Sequence, residues 1–401
     1  MEKEDFKEAF LRLHHYLQEC RYKGYEFDDL LSSPVVKHFT FNILKLQRVA
    51  IQVGQRFPLP IRPLLGVKKR ESTKARGFIT RGYLYCYLAD RDSRWLKLAA
   101  ESLDWLLRNS SPGFRGMSWG NNFDFATGMG LYPEGWPTIV WTSHIAATFE
   151  MAYLITKNEK YLTALESAAE FIVSSLERTE DEDGICFAYA PGIRVLVHNS
   201  NLLGAATLLR CWRYTKNRSL YDLAKSAYQW SISRINPDGS WYYRFAPRGA
   251  RNWIDNFHTA YNIDCFAVGH EIAGDDIVPF EILKRSYDFW VQNFFLPDGR
   301  PRYYHDKTFP LNIQCASQAI ESFAKLSVKD FPQALQMAEK VLEWTLPNMQ
   351  KPNGAFLYKI NRLWKNNLES IHWGESTMLA ALGAYLFYSS HEAKKNEIPY
   401  I

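Results

Sequence analysis

Amphipathic segments ending in an aromatic residue recur along this chain at nearly constant spacing, and that repeat restricts the fold more than any other feature. The segments are Ser102-Leu-Asp-Trp105-Leu, Ala169-Glu-Phe171-Ile, Tyr228-Gln-Trp230-Ser, Tyr287-Asp-Phe289-Trp and Leu342-Glu-Trp344-Thr. The steps from Trp105 to Phe171, Trp230, Phe289 and Trp344 are 66, 59, 59 and 55 residues. Four of the segments lead into a turn dipeptide: Asp183-Gly184, Asp238-Gly239, Asp298-Gly299 and Asn353-Gly354. An aromatic stretch follows each turn: Phe187-Ala-Tyr189, Trp241-Tyr-Tyr243, Tyr303-Tyr304 and Phe356-Leu-Tyr358.

Each unit then continues into a second helical segment, richer in small and apolar residues, over about 76–89, 140–156, 198–214, 258–273, 313–327 and 370–388. The first segment of a pair carries charge on one face, as Asp222, Lys225 and Arg234 do between Tyr221 and Arg234. The second is apolar nearly all round, the pattern of a helix buried on most sides. Half-exposed helices alternating with buried ones imply two concentric layers, and six inner helices predict an all-α (α/α)6 toroid. A linear helical solenoid is the alternative, because a repeat period does not require closure. The expected organisation is one domain over residues 1–401: an N-terminal helical extension and basic linker (1–75), then helical hairpins (76–390). Outer helices from residues 1–56 help close the ring. A closed toroid of this length is commonly a single unit.

The remaining bulk properties narrow the function. The 48 basic and 43 acidic residues give a net charge of +5, too mild and dispersed for nucleic acid. The dense cluster Lys68, Lys69, Arg70, Lys74 and Arg76 follows Pro58, Pro60 and Pro63 and reads as a solvated loop, or as a rim facing a phosphate or acidic sugar. Aromatic residues make up 15% of the chain, more than a core needs, so rings are expected to line a groove. Met1-Glu2-Lys3-Glu4-Asp5 is no signal peptide, and the apolar stretch Met378 to Phe387 is about half the length of a membrane span. Cys20, Cys86, Cys186, Cys211, Cys265 and Cys315 are scattered without a CxxC pair and read as reduced thiols, which makes cytoplasm the expected location.

In a toroid the loops entering the inner helices gather at one end of the axis, so equivalent positions become neighbours. His198, His258, Gln314 and His372 lie 27, 28, 25 and 28 residues after their outer-helix aromatics, and His144 lies near the start of the second inner helix. Around them are Asn199, Asn201, Asp255, Asn256, Asn262, Ser317, Gln318 and Glu375. Taken singly, Asp255, Asn199 and Ser317 are ordinary helix caps. The set of four matched offsets points to a site. The richest junction is Arg251-Asn-Trp253-Ile-Asp255-Asn256-Phe-His258-Thr-Ala-Tyr261-Asn262, which combines stacking rings with hydroxyl-binding groups. A long loop, Met117-Ser-Trp119-Gly-Asn121-Asn122-Phe-Asp124-Phe125, runs on to Glu134-Gly-Trp136. Without HExxH spacing or a Cys pair, no metal is expected, and no cofactor is implied.

Seven stretches together resemble a family of polysaccharide-biosynthesis proteins with an α/α-toroid, six-hairpin glycosidase-like fold. They are Gly24-Tyr-Glu-Phe-Asp28, Arg62-Pro-Leu-Leu-Gly66, Trp119-Gly-Asn-Asn-Phe-Asp124, Pro137-Thr-Ile-Val140, Arg178-Thr-Glu-Asp-Glu-Asp-Gly184, His198-Asn-Ser-Asn-Leu-Leu-Gly204 and Trp253 to Asn262. The resemblance implies a carbohydrate ligand and a place in surface-polysaccharide biosynthesis or processing, and carries little mechanism. In fold the chain is similar to six-hairpin glycosidases, uronate-acting lyases and sugar epimerases. The Asp-Gly-Ser-Trp241 element looks like terpene cyclase repeats, but the chain has no DxDD motif.

Three chemistries stay open. A glycosidase needs two carboxylates, for which Asp255 and Asp124 are the candidates, with Glu134 and Glu375 behind them. A lyase or epimerase would use His258 or Tyr261 to move a proton, with Arg251 or Arg244 holding an acid group. The alternative is a non-catalytic glycan-binding component of an assembly complex, marked by stacking rings without a catalytic carboxylate pair. The substrate-binding candidates are Trp119, Asn122, Glu134, Trp136, His198, Asn199, Asn201, Trp253, Asn256, Tyr261, Asn262, Gln314 and His372. The sequence does not set the oligomeric state. Since neither a disulfide nor a metal is invoked, the melting temperature should be the same in buffer, strong reductant and chelator. A drop in chelator that a divalent ion reverses would instead point to a metal held by His198, His258 and His372.

Overall fold

The computed structural model describes residues 1–401 except 58–60, 129, 247–249, 251, 329–330, 391–392 and 394–401. Arg251, Pro58 and Pro60 lie outside the described residues. The helices in chain order are α1 (Lys3–Glu19), α2 (Pro34–Thr40), α3 (Leu44–Arg56), α4 (Ile61–Leu64), α5 (Thr73–Asp90), α6 (Ser93–Arg108), α7 (Ile139–Thr156) and α8 (Glu159–Ser175). There follow α9 (His198–Thr215), α10 (Arg218–Ile232), α11 (Asn256–Ala273), α12 (Phe280–Phe294), α13 (Ile313–Leu326), α14 (Ala334–Met349) and α15 (Thr377–Tyr388). A π-helical turn, Ile371–Ser376, leads into α15. The strands are short and sit in the connections.

The inner ring is α5, α7, α9, α11, α13 and α15, each packed on the next, and α15 packs back on α5. This is a closed (α/α)6 toroid and not an open solenoid. Its outer layer is α6, α8, α10, α12 and α14, with α1 packed on α15 in the sixth place. The burial pattern follows from the sequence. All residues of α13 and α15 are buried. On α6 the buried Trp95, Ala99, Ser102, Leu103 and Leu106 form one helical stripe, with Lys97, Glu101 and Arg108 exposed opposite.

Tight reversals link inner to outer helices. Arg91, Lys157 and Lys216 take left-handed conformations (φ 60°, 55° and 54°), and the next residue of each, Asp92, Asn158 and Asn217, caps the outer helix. On the other side of each hairpin, the turn glycines serve a packing role that composition alone would not show. Gly354 has φ +89°, and a Cβ there would lie 2.3 Å from the carbonyl oxygen of Arg12 in α1. Gly184, Gly239 and Gly299 press in the same way on α10, α12 and α14. The last turn therefore docks on the first helix. The seam itself is equally tight: a Cβ on Gly82 of α5 would lie 2.8 Å from Leu379 O of α15, and one on Gly383 would lie 2.7 Å from Gly82 O.

Gly113 supplies a control, since it also has positive φ (+84°) but no atom near its missing Cβ. Gly113→Ala should cost about 1 kcal/mol, from backbone strain alone. Gly354→Ala should cost at least about 2 kcal/mol more, because the helix must also retreat. Melting temperatures of the two variants test this, and equal shifts would remove the docking role of the turn.

Candidate active site

The inner helices all begin at the same end of the ring. Ser72, Thr138, Asp255, Asn312 and Ser370 cap five of them, each accepting a hydrogen bond from a backbone N–H of the first turn. Between these N-termini lies a cavity of about 390 Å³. After each turn glycine the chain runs inward and delivers a tyrosine to the wall: Tyr189, Tyr243, Tyr303 and Tyr358. The helices add Lys74, Trp141, His144, Asn199, His258, Tyr261, His372 and Trp373. His372 and Trp373 come from the π-helical turn that leads into α15.

The N-terminal segment completes the wall with Phe27 and Asp28. It is laid in by Gly24, whose N–H and carbonyl pair with Arg70, and by Tyr25, whose carbonyl accepts from Ile371 N at 2.9 Å. Arg62 clamps it from behind, donating to the carbonyls of Glu26 and Phe27 and to Asp29 Oδ1 at 2.7 Å. Phe27 stacks on Tyr358 at 5.6 Å and tilts over Trp373 at 4.8 Å. Residues 24–28 and 62–66, far apart in sequence, thus form one unit.

Asp255 is 2% exposed and sits behind His258, away from the cavity. It accepts from His258 N at 3.1 Å, from Trp253 Nε1 at 2.7 Å, and from His258 Nδ1 at 2.8 and 2.9 Å. With the carboxylate ionised, Nδ1 must carry the hydrogen. The neutral ring then has an unprotonated Nε2, and this is the arrangement of a base oriented by an acid. Trp253 stacks on the cavity residue Tyr243 at 4.9 Å.

Of the residues nominated from sequence, the cavity wall brings together Asn199, His258, Tyr261 and His372. The others lie elsewhere. Asp124 is 2.7 Å from Lys37 and accepts from Glu134 N, and Glu134 pairs with Arg70. Glu375 is fully buried and accepts from Phe356 N, so burial holds its carboxyl well above the usual range. Trp119, Asn122 and Trp136 donate to the carbonyls of Leu106, Glu71 and Pro191. Asn201 and Asn256 donate to main-chain carbonyls, and Asn256 also accepts from Trp290. Gln314 donates to the Tyr261 hydroxyl at 2.8 Å from beneath. His198 packs on Trp230, where burial lowers its ring to about 3, and Asn262 is buried outside the wall.

The basic cluster divides. Lys68 and Lys69 are exposed, as a solvated loop requires, whereas Lys74 and Arg76 are buried at the start of α5. Helix capping at Ser72 turns Lys74 inward, with its ammonium 4.4 Å over the Trp141 ring. The sequence nominated neither Phe27, Asp28 nor the four tyrosines as site residues, and Lys74 only within the basic cluster read as a loop or an anion-facing rim. Their signals were present, in the Gly24–Asp28 stretch and in an aromatic placed four or five residues after each turn glycine.

Electrostatically the cavity is mixed. Burial pushes the Asp28 carboxyl up to about 6 against the pull of Lys74, and Glu26 behind it up to about 7. Burial drives the His144 and His372 rings well below the ordinary histidine value, so both are neutral. Lys359 on the wall is lowered to about 8 by burial and by Arg56. Asp28 Oδ1, His144 Nε2, Asn199 Oδ1, His372 Nδ1 and Trp373 Nε1 have no hydrogen-bond partner among the described residues. Polar side chains set among aromatic rings on the cavity wall suit a polyhydroxylated ligand. Beneath the cavity, Arg81–Glu321 (3.2 Å) and Lys325–Asp264 (2.7 Å) close the ring axis. No group of three or more His, Cys, Asp or Glu is placed to hold a metal among the described residues.

No family model matches the chain, and no curated protein matches it. Solved structures do match in fold. An unsaturated glucuronyl hydrolase specific for heparin aligns at a TM-score of 0.62 and 13% identity, covering 98% of each chain. A possible member of the GH105 family from Salmonella enterica aligns at 0.63 and 12%, covering 96% of this chain and 94% of that one. Cellobiose 2-epimerase from Bacillus thermoamylovorans aligns at 0.58 and 11%, covering 79% and 87%. The toroid is thus the six-hairpin glycosidase-like fold. No helix among the described residues is long and apolar enough to cross a membrane.

Asp28 gives the site a pH signature. Its folded pKa is raised, so its favourable contribution to stability is present below its ordinary value of 3.8 and is lost as pH rises through about 6. Asp28→Asn removes that loss. The melting temperature of the variant relative to wild type should therefore climb between pH 4 and 7, and a flat difference would show that burial does not perturb this carboxyl.

Proposed function

We propose that the protein is a carbohydrate-acting enzyme that moves a proton at a sugar carbon, in the manner of an epimerase or lyase. The observation that carries this reading is the Asp255–His258 pair, whose second ring nitrogen is left as a base on a histidine lining the cavity. The acid partner is Asp28, which at about 6 retains part of its proton near neutrality. Lys74 supplies positive charge for the anion that develops on the substrate. The tyrosines and Trp141 stack on the sugar faces, and Asn199 and His372 meet its hydroxyls.

A two-carboxylate glycosidase is less well supported. Asp28 is the one carboxylate in the cavity wall among the described residues, and Asp124 and Asp255 both lie outside it. That same observation favours the second reading, a glycan-binding component without turnover. The neighbours act on carbohydrates by their names, which fits both readings. A role in surface-polysaccharide biosynthesis rests on the sequence resemblance.

Incubation with a panel of reducing sugars and uronate-containing glycans in deuterated water separates the readings. Epimerisation reprotonates the carbon and places solvent deuterium in the sugar, detected by mass spectrometry, whereas elimination breaks the bond to the leaving oxygen and gives an unsaturated uronide, detected by its ultraviolet absorbance. His258→Ala should lower incorporation at least ~10²-fold. Asp255→Asn should lower it comparably, because an amide no longer fixes the tautomer, while still capping α11 with little change in melting temperature. Glycan-induced thermal stabilisation with neither deuterium uptake nor an unsaturated product would leave binding as the function.

A further inference from the structure

The charges on the cavity wall do not balance. Lys74 lies near Asp28 on the wall and Glu26 behind it, and its ammonium opposes the rise of both carboxyls. Arg56 and Lys359 line the cavity as well, and neither has an Asp or Glu partner among the described residues. Arg56 donates to the neutral Gln52 Oε1 at 3.5 Å. The Lys359 ammonium lies 5.2 Å from the ring of Tyr358, its own neighbour in the chain. The backbone brings the two cations together. Lys359 and Ile360 form a short strand between Leu311–Asn312 and Lys365–Asn366, and Asn366 Nδ2 donates to Gln55 O at 3.1 Å. The end of α3 is thereby fastened to this hairpin, with Arg56 close enough to act on Lys359. Residues 44–57 and 357–368, which meet here, contain no Asp or Glu.

Two like charges set side by side repel, and burial of one of them adds to the cost. Burial, and then the Arg56 charge, hold the Lys359 amine down to about 8. The carboxyl end of α3 favours one cation, which accounts for Arg56. It does not account for a second cation brought beside it on a strand. An anion between the two turns both costs into attraction. A phosphate ester carries a charge of about −1.5 to −2 near neutrality, which matches two cations, whereas a carboxylate leaves one unmatched. The planar Arg fork takes two phosphate oxygens, and the Lys ammonium takes a third. Arg56 is exposed and Lys359 half-buried, so the pair stands at the cavity mouth, with the Tyr358 ring next to it.

We propose that the cavity takes a phosphorylated sugar, its phosphate held between Arg56 and Lys359 and its ring among the tyrosines. The assignment rests on the carbohydrate reading of the cavity and adds the class of substrate. Of the basic cluster at Lys68 to Arg76, Lys74 alone lines the cavity, and Arg70 and Arg76 are paired with Glu134 and Glu71. The phosphate contact therefore comes from two segments that lie about 300 residues apart in sequence.

Calorimetric titration of the whole protein tests this without any turnover. The probes are neutral hexoses, the matching hexuronates, the hexose 1- and 6-phosphates, and inorganic phosphate. At least one sugar phosphate should bind ~10-fold or more tightly than its neutral parent, its uronate and inorganic phosphate. Arg56→Gln and Lys359→Gln should each weaken that sugar phosphate at least ~10-fold at unchanged melting temperature. Lys365→Gln, on the same hairpin but outside the cavity wall, should leave its affinity as it is. If Lys359→Gln fails to fold, Arg56→Gln decides. A uronate or neutral sugar bound as tightly as every sugar phosphate overturns the proposal. Inorganic phosphate matching the sugar phosphates, or Arg56→Gln binding as wild type does, overturns it too. Turnover of a neutral sugar with no sugar phosphate preferred sinks this inference and leaves the proton-transfer reading standing. A preferred sugar phosphate that exchanges no deuterium and is not cleaved upholds the inference and removes that reading.

Discussion

Closure of the inner ring at the α5–α15 seam is the contact on which the rest of the molecule depends. Gly82 and Gly383 let two helix backbones meet without intervening side chains, and Gly354 seats the last turn on α1. A side chain at any of these points would meet facing backbone at 2.3–2.8 Å and press the contact apart. An open ring would still bury its helices pairwise, but their N-termini would no longer converge. The cavity exists because the seam brings Lys74 of α5 and His372 beside α15 into one enclosure. Packing at a glycine seam and the shape of the cavity are thus one constraint.

The cavity combines rigidity with perturbed ionisation. Its wall is built from helix N-termini, five of the six capped, and from tyrosines held at a fixed distance from docked turns. Burial then sorts the titratable groups. Carboxyls at positions 26 and 28 rise, while rings at 144 and 372 stay neutral, because charge is costly where water is displaced. His258 differs in having a buried carboxylate fixed at Nδ1, so its geometry and not its burial sets its role.

Much of the architecture was legible in the chain. Each inner helix falls where the apolar segments predicted it, because burial on all sides leaves an unmistakable composition. The convergence of matched positions was legible only in part: His258 and His372 line the cavity, joined by Tyr261 and Asn199, whereas the matched His198 and Gln314 do not. Exact orientation was not. Successive residues of a helix point about 100° apart, so neighbours in sequence separate in space. His198 turns to Trp230 while Asn199 faces inward, and Gln314 lies beneath Tyr261. The strap at Gly24–Asp28 could not be placed from its sequence, since Arg62 and Ser370 hold it through contacts with no local periodicity.

By itself, then, the sequence determined the layers, the repeat and the end of the ring at which the loops and their polar residues gather. These follow from hydrophobic periodicity and turn chemistry, which act over a few residues. Tertiary structure alone decided that the ring closes and that α1 is its sixth outer helix. It also decided that Asp255 addresses a histidine instead of a ligand, and that a lysine from an apparent loop joins the cavity. Those outcomes depend on side-chain direction and on contacts hundreds of residues apart, such as Gly354 against Arg12. No local pattern encodes them, because their energies appear only when the distant surfaces meet.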